Sequence, residues 1–342
     1  MAKVNILFLT GIVLLLVCIT SILVTGSVYI PPDEIFGILI GREPSSGYSS
    51  TIILQTRLPM ATAAVCSGAM LSVAGLLMQT LFHNPMAGPS VLGISSGASF
   101  GVALFMLSVS GVAGTILAPL QPFLSILSAL IGGLLTILIL YFFSIILKSG
   151  VTLLVVGIMI SYLCNSGISL LNYFSPPDEI RSYLIWGMGT FGNLRLSTAI
   201  WLFIATIVSL LPTWLFIKPL NAMLLGERYL ESVGFSINKT RSYLLLCTGV
   251  LVALPTAFCG PIGFIGLIVP HLCRLLFRTS NHMILMPACM LFGALVTLFC
   301  AFLSVLPSSH HGILPINVIT PLIGIPVILY LLIKRNRLPY FS

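Results

Sequence analysis

The sequence carries very little charge. Asp, Glu, Lys and Arg make up 6% of its 342 residues, whereas about 25% is usual in a soluble domain. Hydrophobic residues make up 58%, and no polar stretch approaches the ~50 residues of a small soluble domain. We therefore predict a polytopic membrane protein in which residues 1–342 form a single transmembrane domain.

Acidic residues are missing from the apolar runs. All 7 Asp and Glu residues fall in predicted loops, and an ionisable side chain at the centre of a bilayer costs about 3 kcal/mol on insertion scales. Ion-coupled transporters keep such a residue because it is their coupling site. Its absence disfavours an ion-coupled secondary transporter or a channel, which we keep as the more distant alternative.

Catalytic patterns are missing as well. The chain has no GxxxxGK[ST] phosphate loop, no HExxH pair and no Ser/His constellation. We therefore predict that it is not an enzyme, and that the energy for transport comes from ATP hydrolysis by a separate polypeptide.

Metal-binding spacings are also lacking. The 8 cysteines form no CxxC pair and no Cys/His pattern, and they lie in or beside apolar runs, where small packing residues are the simpler interpretation. We predict no metal site and no cofactor bound by this chain. One alternative stays open, because the adjacent His310 and His311 lie in a predicted outer loop and could meet a haem or a metal-bearing ligand.

Long apolar runs are what the sequence does contain. Runs near 20 residues predict an all-α fold of about ten transmembrane helices, of which the third and eighth are short and broken by glycine. The first run is longer than the ~7–15-residue core of a signal peptide, so we expect a retained span. The predicted spans are 4–28, 58–81, 91–109, 121–147, 151–173, 197–217, 242–259, 262–277, 284–305 and 316–333.

Basic residues orient these spans. With both termini in the cytoplasm, eleven of the 15 Lys and Arg residues face inside, as the positive-inside rule requires. The net charge of +8 therefore reflects membrane orientation and does not imply nucleic-acid binding. The four basic residues outside are Arg42, Arg57, Arg181 and Arg195.

Two apolar stretches are interrupted by Gly and Pro. Residues 57–101 contain the helix-breaking HNPMAGP, and residues 260–278 read GPIGFIGLIVPHLCRLLFR. Interrupted segments in the two halves of a membrane protein point to a transport pathway. Small residues share a helix face at Gly68, Ser72 and Gly75, a pattern that lets another helix backbone approach closely.

Together the two stretches resemble the membrane subunits of ABC importers for iron-siderophores, haem and cobalamin, the FecCD/BtuC-type permeases. The resemblance runs from about residue 57 to residue 333, with Asn84-Pro85-Met86-Ala87 for the family's NPLA element and Trp186-Gly187 for its WxxGS stretch. It implies a permease in the inner membrane that moves an iron chelate, a ferric siderophore or haem. Cobalamin is the alternative substrate.

The resemblance also implies partners. Such a permease works as a homodimer with two ATP-binding cassette subunits below it and a periplasmic or lipid-anchored substrate-binding protein above it. ATP would be used by the cassette subunits alone.

Site residues follow from the resemblance by position. The loop 219–241 contains GERYLESVG, which matches the family's coupling helices, and the turn 149–152 matches its cytoplasmic gate. The last span matches the pathway-lining helix. The expected residues are Gly226, Glu227, Ser232 and Gly234 for coupling, Ser149, Gly150, Val151 and Thr152 for the gate, and Asn317 and Thr320 for the pathway.

The outer face departs from the family pattern. The family's RLPR is RLPM here, so Arg57 stays but Met60 replaces the second arginine, and Ala301 and Val305 replace an Asp and an Arg after the ninth span. In the family, outward arginines dock glutamates of the binding protein. Arg57 is thus the expected docking residue, and the alternatives are Arg42, Arg181 and Arg195.

Overall fold

A computed structural model describes residues 2–26, 28–42, 47–109, 120–147, 150–306 and 313–335. Within these ranges the chain forms helices and no β-strand, as the all-α prediction requires. The helices are α1 (Ala2–Val24), α2 (Pro32–Leu39), α3 (Gly47–Ile52), α4 (Leu58–Leu81), α5 (Ile94–Leu104), α6 (Gln121–Ile146), α7 (Gly150–Phe174), α8 (Pro177–Gly187), α9 (Leu196–Leu210), α10 (Ile217–Met223), α11 (Glu227–Ser232), α12 (Ile237–Cys259), α13 (Ile265–Phe277), α14 (His282–Val305) and α15 (Ile316–Arg335).

Seven helical segments of the described ranges are long and apolar enough to cross a membrane. They coincide with the first, second, fourth, fifth, sixth, seventh and ninth predicted spans. Three shorter apolar helices, Ile94–Leu107, Ile265–Phe277 and Ile316–Leu329, occupy the places of the other three. The chain is therefore a polytopic membrane protein, and the count of ten crossings stays a prediction.

Two short helices lie outside the predicted spans. Both α2 and α8 begin with the sequence Pro-Pro-Asp-Glu-Ile, at residues 31–35 and 176–180. Each has a proline in its first helical turn and two acids beside it. Proline there loses no hydrogen bond, and the acids favour the positive end of the helix dipole, so the repeated pentapeptide specifies a helix start.

Helix α4 is the centre of the bundle. The segment Gly47–Leu81 has 89% of its apolar window buried, against 17% for α1 and for α7. It packs against α9, α12, α13 and α14. Small residues make this possible, because a methyl group at Gly68 would overlap the carbonyl of Gly293 and one at Gly75 would overlap that of Gly266. The predicted close approach of a neighbouring backbone is confirmed.

A second group of helices forms around α5. It packs against α6 and α7, and α6 in turn packs against α12, which links this group to α4. Glycine again sets the spacing, since Gly97 abuts Gly132 and Thr136, and Gly101 abuts the carbonyl of Ser128. The first interrupted stretch thus contributes α4 to one packed group and α5 to the other, and the second stretch contributes α13 to the group around α4.

The bundle has two ends, which we name by the predicted orientation. The inner end carries the loop 217–236, the end of α4, and the turn between α6 and α7. The outer end carries Arg57, the break at 260–264 and the start of α15.

Candidate functional site

The predicted coupling loop forms two short helices at the inner end. Helix α10 ends at Met223, and α11 begins after Gly226 and ends before Gly234. Gly226 has φ +105° and Gly234 has φ +90°. The Gly234 N–H donates to Glu231 O at 2.9 Å, and the next N–H donates to Leu230 O at 3.2 Å. These bonds form a Schellman cap that ends α11.

Helix α11 buries one side and exposes the other. Leu230 is 0% exposed and anchors the helix in the core. The Ser232 hydroxyl donates to Tyr229 O at 2.8 Å and so stays within its own helix. Four apolar side chains of this region are exposed and define the coupling surface: Leu224, Leu225, Tyr229 and Val233.

The coupling loop is tied to the bundle by polar side chains. His83 Nε2 lies 2.8 Å from the Met223 carbonyl at the end of α10. Asn221 Oδ1 accepts from the His282 backbone N–H at 2.9 Å and lies 2.8 Å from His282 Nδ1. The other ring nitrogen of His282 lies 2.9 Å from Thr80 Oγ1 in α4. These hydrogen bonds connect α10 directly to α14 and to the end of α4.

Glu227 forms an ion pair in this loop. Its Oε1 lies 3.1 Å from Arg241 Nη2, with the glutamate side chain 47% exposed and the arginine side chain 5% exposed. The pair joins α11 to the first turn of α12.

Three of the four predicted gate residues fall in the first turn of α7. Val151 is 72% exposed, and Thr152 is exposed as well. Gly150 lies beside Phe82, where a methyl group would meet the ring at 3.4 Å. The gate turn is thus next to the end of α4. Ser149, like His310 and His311, lies outside the described residues.

Asn317 bridges two pieces of backbone at the outer end. Its Oδ1 accepts from the Gly263 N–H at 3.1 Å, and its Nδ2 donates to Pro261 O at 2.6 Å. Its own N–H donates to Met188 O at 3.3 Å. The side chain therefore supports the break between α12 and α13, a contact that spacing along the sequence did not indicate.

The backbone at this break is strained. Phe264, directly before α13, has φ +69°, and Gly260 has φ +78°. A left-handed conformation costs a residue with a side chain, here Phe264, roughly 1–2 kcal/mol. The hydrogen bonds of Asn317 to the neighbouring Gly263 and Pro261 help to offset this cost.

Thr320 lies one turn further along α15 and is 1% exposed. Up to residue 329, the large exposed side chains of this helix are apolar and share one stripe: Val318, Leu322, Ile325 and Leu329. The stripe lies on the exposed side of this part of α15. The pathway roles of Asn317 and Thr320 stay predictions.

Arg57 is buried at the outer end, with 6% of its surface exposed. It donates to the carbonyls of Leu23, Val24 and Val28, with 3.1 Å to Val24 O. The last carbonyls of a helix lack partners within it, so the guanidinium satisfies the end of α1. Helix α1 ends at Val24, four residues before the predicted end of the span.

The other outer arginines are differently placed. Arg42, Arg181 and Arg195 are all exposed. Met60, which stands where the family has a second arginine, is 3% exposed. The docking role of Arg57 stays a prediction, and the exposed cations are the ones a partner could reach without rearrangement.

Replacing Arg57 with methionine is expected to lower the stability of the subunit by about 3 kcal/mol. Bonds from a charged donor contribute about 1.5–3 kcal/mol each. The Leu23 and Val28 carbonyls would lose this donor, and the Val24 carbonyl would keep only the Ile30 N–H, at 3.5 Å. Thermal unfolding in detergent measures the loss, with the exposed Arg42→Met as the matched control. A docking role instead predicts weaker binding-protein affinity in Arg57→Met with stability unchanged.

A cavity of about 240 Å³ lies where the two interrupted stretches meet. Met86 and Pro89 line it from the first stretch, and Ile262 and Phe264 from the second, with Val252 of α12 beside them. Ligand pockets usually measure about 300–1,000 Å³. The cavity is therefore too small and too apolar for a large organic chelate.

Metal ligands do not converge in the described part of the chain. Within those ranges, no three His, Cys, Asp or Glu side chains lie close enough together to hold a metal ion. The predicted lack of a cofactor stays an expectation, because His310 and His311 lie outside those ranges.

The chain was compared with known protein families, curated proteins and solved structures. Residues 13–334 match the FecCD transport family. The vitamin B12 import system permease protein BtuC of Klebsiella pneumoniae is 35% identical over 323 residues, covering 94% of this chain and 92% of that protein. The protein of the same name from Citrobacter koseri is 34% identical over 330 residues, covering 95% and 93%.

A solved structure shows the same fold. It is described as an inward-facing conformation of a metal-chelate type ABC transporter, and it superimposes with a TM-score of 0.83 at 28% identity. The match covers 96% of this chain and 99% of that one. The all-helical fold, the apolar spans and these full-length similarities agree with one another. This chain belongs to the FecCD transport family, as an integral membrane subunit of a transporter.

Proposed function

We propose that this chain is the permease subunit of an ATP-driven importer that moves cobalamin across the inner membrane. The observation that carries the proposal is its similarity, over more than nine-tenths of both chains, to permeases named for vitamin B12 import. The iron chelate expected from the sequence becomes the second candidate. It is supported by the relative described as a metal-chelate type transporter.

Cassette subunits would dock at the inner end. The coupling surface offers four exposed apolar side chains on and beside the short helix α11, which Leu230 anchors in the core. Exposed apolar residues at a polar surface are typical of a protein interface. We infer that two ATP-binding cassette subunits engage this surface, one for each permease chain.

The substrate would pass between two copies of the chain. The cavity of about 240 Å³ within one chain is too small for cobalamin or for a large chelate. Helix α7 is mostly exposed, and α15 presents its apolar stripe outward. We infer a homodimer in which these two helices line the pathway, and both termini lie in the cytoplasm.

A substrate-binding protein would dock at the outer end. The exposed cations there are Arg42, Arg181 and Arg195, and rim charges of this kind set the association rate more than the affinity. They fit a partner with acidic groups on its docking face better than the buried Arg57 does.

Substrate identity is tested by transport. The permease is reconstituted in vesicles with its cassette subunit and its binding protein, and the uptake of cyanocobalamin, haemin and a ferric hydroxamate is compared. ATP-dependent uptake of cyanocobalamin alone supports the proposal. Uptake of one of the iron compounds without cyanocobalamin would establish the second candidate instead.

Gly234→Val is expected to uncouple the permease while leaving it folded. Valine at φ +90° costs at least ~1–2 kcal/mol locally and breaks the cap that ends α11. We expect normal insertion and a fall of about 5-fold or more in uptake and stimulated ATP hydrolysis, the size of a 1 kcal/mol coupling term.

The control for this variant is Gly47→Val. Gly47 also has no atom within 4 Å of an added methyl group, but its φ is ordinary. Uptake by Gly234→Val equal to that of the control would remove Gly234 from the coupling role.

A further inference from the structure

Arg241, at the end of the coupling loop, contacts both helix α11 and the residue that follows α6. Its Nη2 pairs with Glu227 Oε1 at 3.1 Å. Its Nη1 donates to the Leu147 carbonyl at 3.4 Å. Leu147 follows the last residue of α6, and α7 begins at Gly150 with the gate residues. One side chain thus spans two elements that lie far apart in the sequence.

The surroundings of Arg241 keep this bridge in place. Arg241 is 4% exposed, and the neighbouring Ser242 Oγ lies 3.2 Å from Ser144 Oγ in the last turn of α6. The start of α12 is therefore joined to the end of α6 at two adjacent positions. Leu147 has extended backbone angles, φ −90° and ψ 117°, so its carbonyl has left the helical direction and is available to the guanidinium.

The chemistry of arginine suits a residue that bridges two partners. The guanidinium is planar and carries five N–H donors in a fixed fork, so it can hold a carboxylate with one arm and a carbonyl with the other. A lysine ammonium is a compact point charge on a flexible stem. Movement of Glu227 must therefore move the arginine fork, and with it the bond to Leu147 O.

The two partners of Arg241 differ in exposure. The Glu227 side chain is 47% exposed and lies beside the coupling surface, where a docked subunit would act. The Leu147 carbonyl lies at the bundle, next to the gate turn. An exposed ion pair that ended at the surface would contribute about 0–1 kcal/mol, but the second arm of Arg241 links this pair to the carbonyl that follows α6.

We propose that Arg241 is the positioning residue that transmits movement of the coupling loop to the gate turn, through Glu227 on one side and Leu147 on the other. The proposal rests on the proposed function, because a cassette subunit must supply the movement. It names a residue outside both the coupling motif and the gate motif, and it gives the two motifs a physical connection.

The test uses the complete transporter with a thiol reporter at the gate. Val151→Cys provides the reporter, because this position is 72% exposed. Six native cysteines are buried and the other two, Cys18 and Cys247, are half-buried, so the chain without the reporter gives the background. The labelling rate at position 151 is measured with and without ATP and vanadate, in vesicles that contain the cassette subunit and the binding protein.

Three substitutions are compared on the reporter background. Arg241→Lys keeps the charge but cannot hold both partners, and Arg241→Met removes both contacts. Arg278→Met is the matched control, at an exposed arginine outside the coupling loop. ATP hydrolysis by the docked cassette subunit is recorded for each, to verify that docking survives.

We expect the ATP-dependent change in labelling to fall by about 5-fold or more in both Arg241 variants, the range of a coupling energy of 1–3 kcal/mol. Arg278→Met keeps the full response. Uptake per ATP hydrolysed falls in parallel. If Arg241→Lys responds like the control, the two-armed bridge is not needed and the proposal is overturned, even where Arg241→Met does not fold.

The outcome also separates this proposal from the proposed function. If the unsubstituted reporter chain shows no ATP-dependent labelling although the cassette subunit is bound, ATP coupling itself fails and the transmission role fails with it. If the unsubstituted reporter chain shows ATP-dependent labelling and both Arg241 variants show a change of the same size, the proposed function stands and only the role of Arg241 is disproved.

Discussion

Gly75→Leu is expected to abolish the folded subunit. Gly75 lies at the middle of the buried helix α4, and a methyl group there would overlap the carbonyl oxygen, the carbonyl carbon and the Cα of Gly266. All three atoms belong to the backbone of α13, directly after the strained Phe264. A backbone cannot move aside as a side chain tip does, so α4 and α13 would have to separate.

The size of this effect follows from packing energetics. Overpacking costs about 1–3 kcal/mol where side chains rearrange, and more where two helices must move apart. Natural proteins have only about 5–15 kcal/mol of stability in total. We expect little monodisperse protein from Gly75→Leu in detergent, and reduced thermal stability already for Gly75→Ala.

The matched control is Gly187→Ala. Gly187 ends α8, and an added methyl group there meets no atom within 4 Å. Thermal unfolding of the two alanine variants is compared by fluorescence in the same detergent. Equal stability of Gly75→Ala and Gly187→Ala would show that α4 and α13 do not touch at this glycine.

The contrast between Gly68 and Arg57 shows what the sequence could predict. Small residues one or two turns apart indicate a close helix contact whatever the partner is, and the contact at Gly68 is confirmed. Its partner, Gly293, lies 225 positions away, and spacing along α4 does not identify it. The burial of Arg57 depends in the same way on the carbonyls of Leu23, Val24 and Val28. Their positions beside Arg57 follow from the fold and cannot be read from the sequence around Arg57.

Local signals explain local features. Gly226 and Gly234, assigned to the coupling loop by position, both have positive φ, which glycine adopts without strain. The helices α2 and α8 could have been found from the repeated Pro-Pro-Asp-Glu-Ile, because proline and acids in a first turn are a local rule. The polar ties of the loop to α4 and α14 could not, since residues such as Asn221 and His282 meet only after the helices have packed.

The identity of the substrate could not be predicted from the sequence, for a different reason. The resemblance covers importers of several large ligands, and among the described residues the cavity between the interrupted stretches is apolar and small. A pathway between two copies would be lined by exposed side chains such as Leu322 and Tyr162. These offer a hydroxyl group but no charge that would select one chelate, so similarity to the B12 permeases carries more information about the substrate than composition does.

Asn317→Ala and Asn317→Asp are expected to impair the transporter for different reasons. Alanine leaves the Gly263 N–H and the Pro261 carbonyl without their partner, and each unsatisfied buried group costs about 1–3 kcal/mol. Aspartate can still accept from Gly263, but an ionised carboxylate oxygen then faces the Pro261 oxygen. The break before α13 should loosen in both variants.

The response to pH separates the two variants. A protonated carboxyl group has one O–H donor and one carbonyl acceptor, the same pair that the Asn317 amide uses. The Asn317→Asp subunit should therefore gain stability and uptake as the pH falls, because the folded form holds the proton more tightly than the unfolded form does. Asn317→Ala, which has no titratable group, should show the pH dependence of the unsubstituted chain.

These measurements also decide what Asn317 does. If its amide lines the pathway, as predicted from the family's last span, both variants should unfold at the temperature of the unsubstituted chain and differ only in uptake rate. If it supports the break at 260–264, thermal stability and uptake fall together, and acid restores both in Asn317→Asp alone. We expect the second result, because the Asn317 amide already has two backbone partners, at 2.6 and 3.1 Å. To contact a passing substrate, the amide would have to release these partners, and their release would open the break at 260–264.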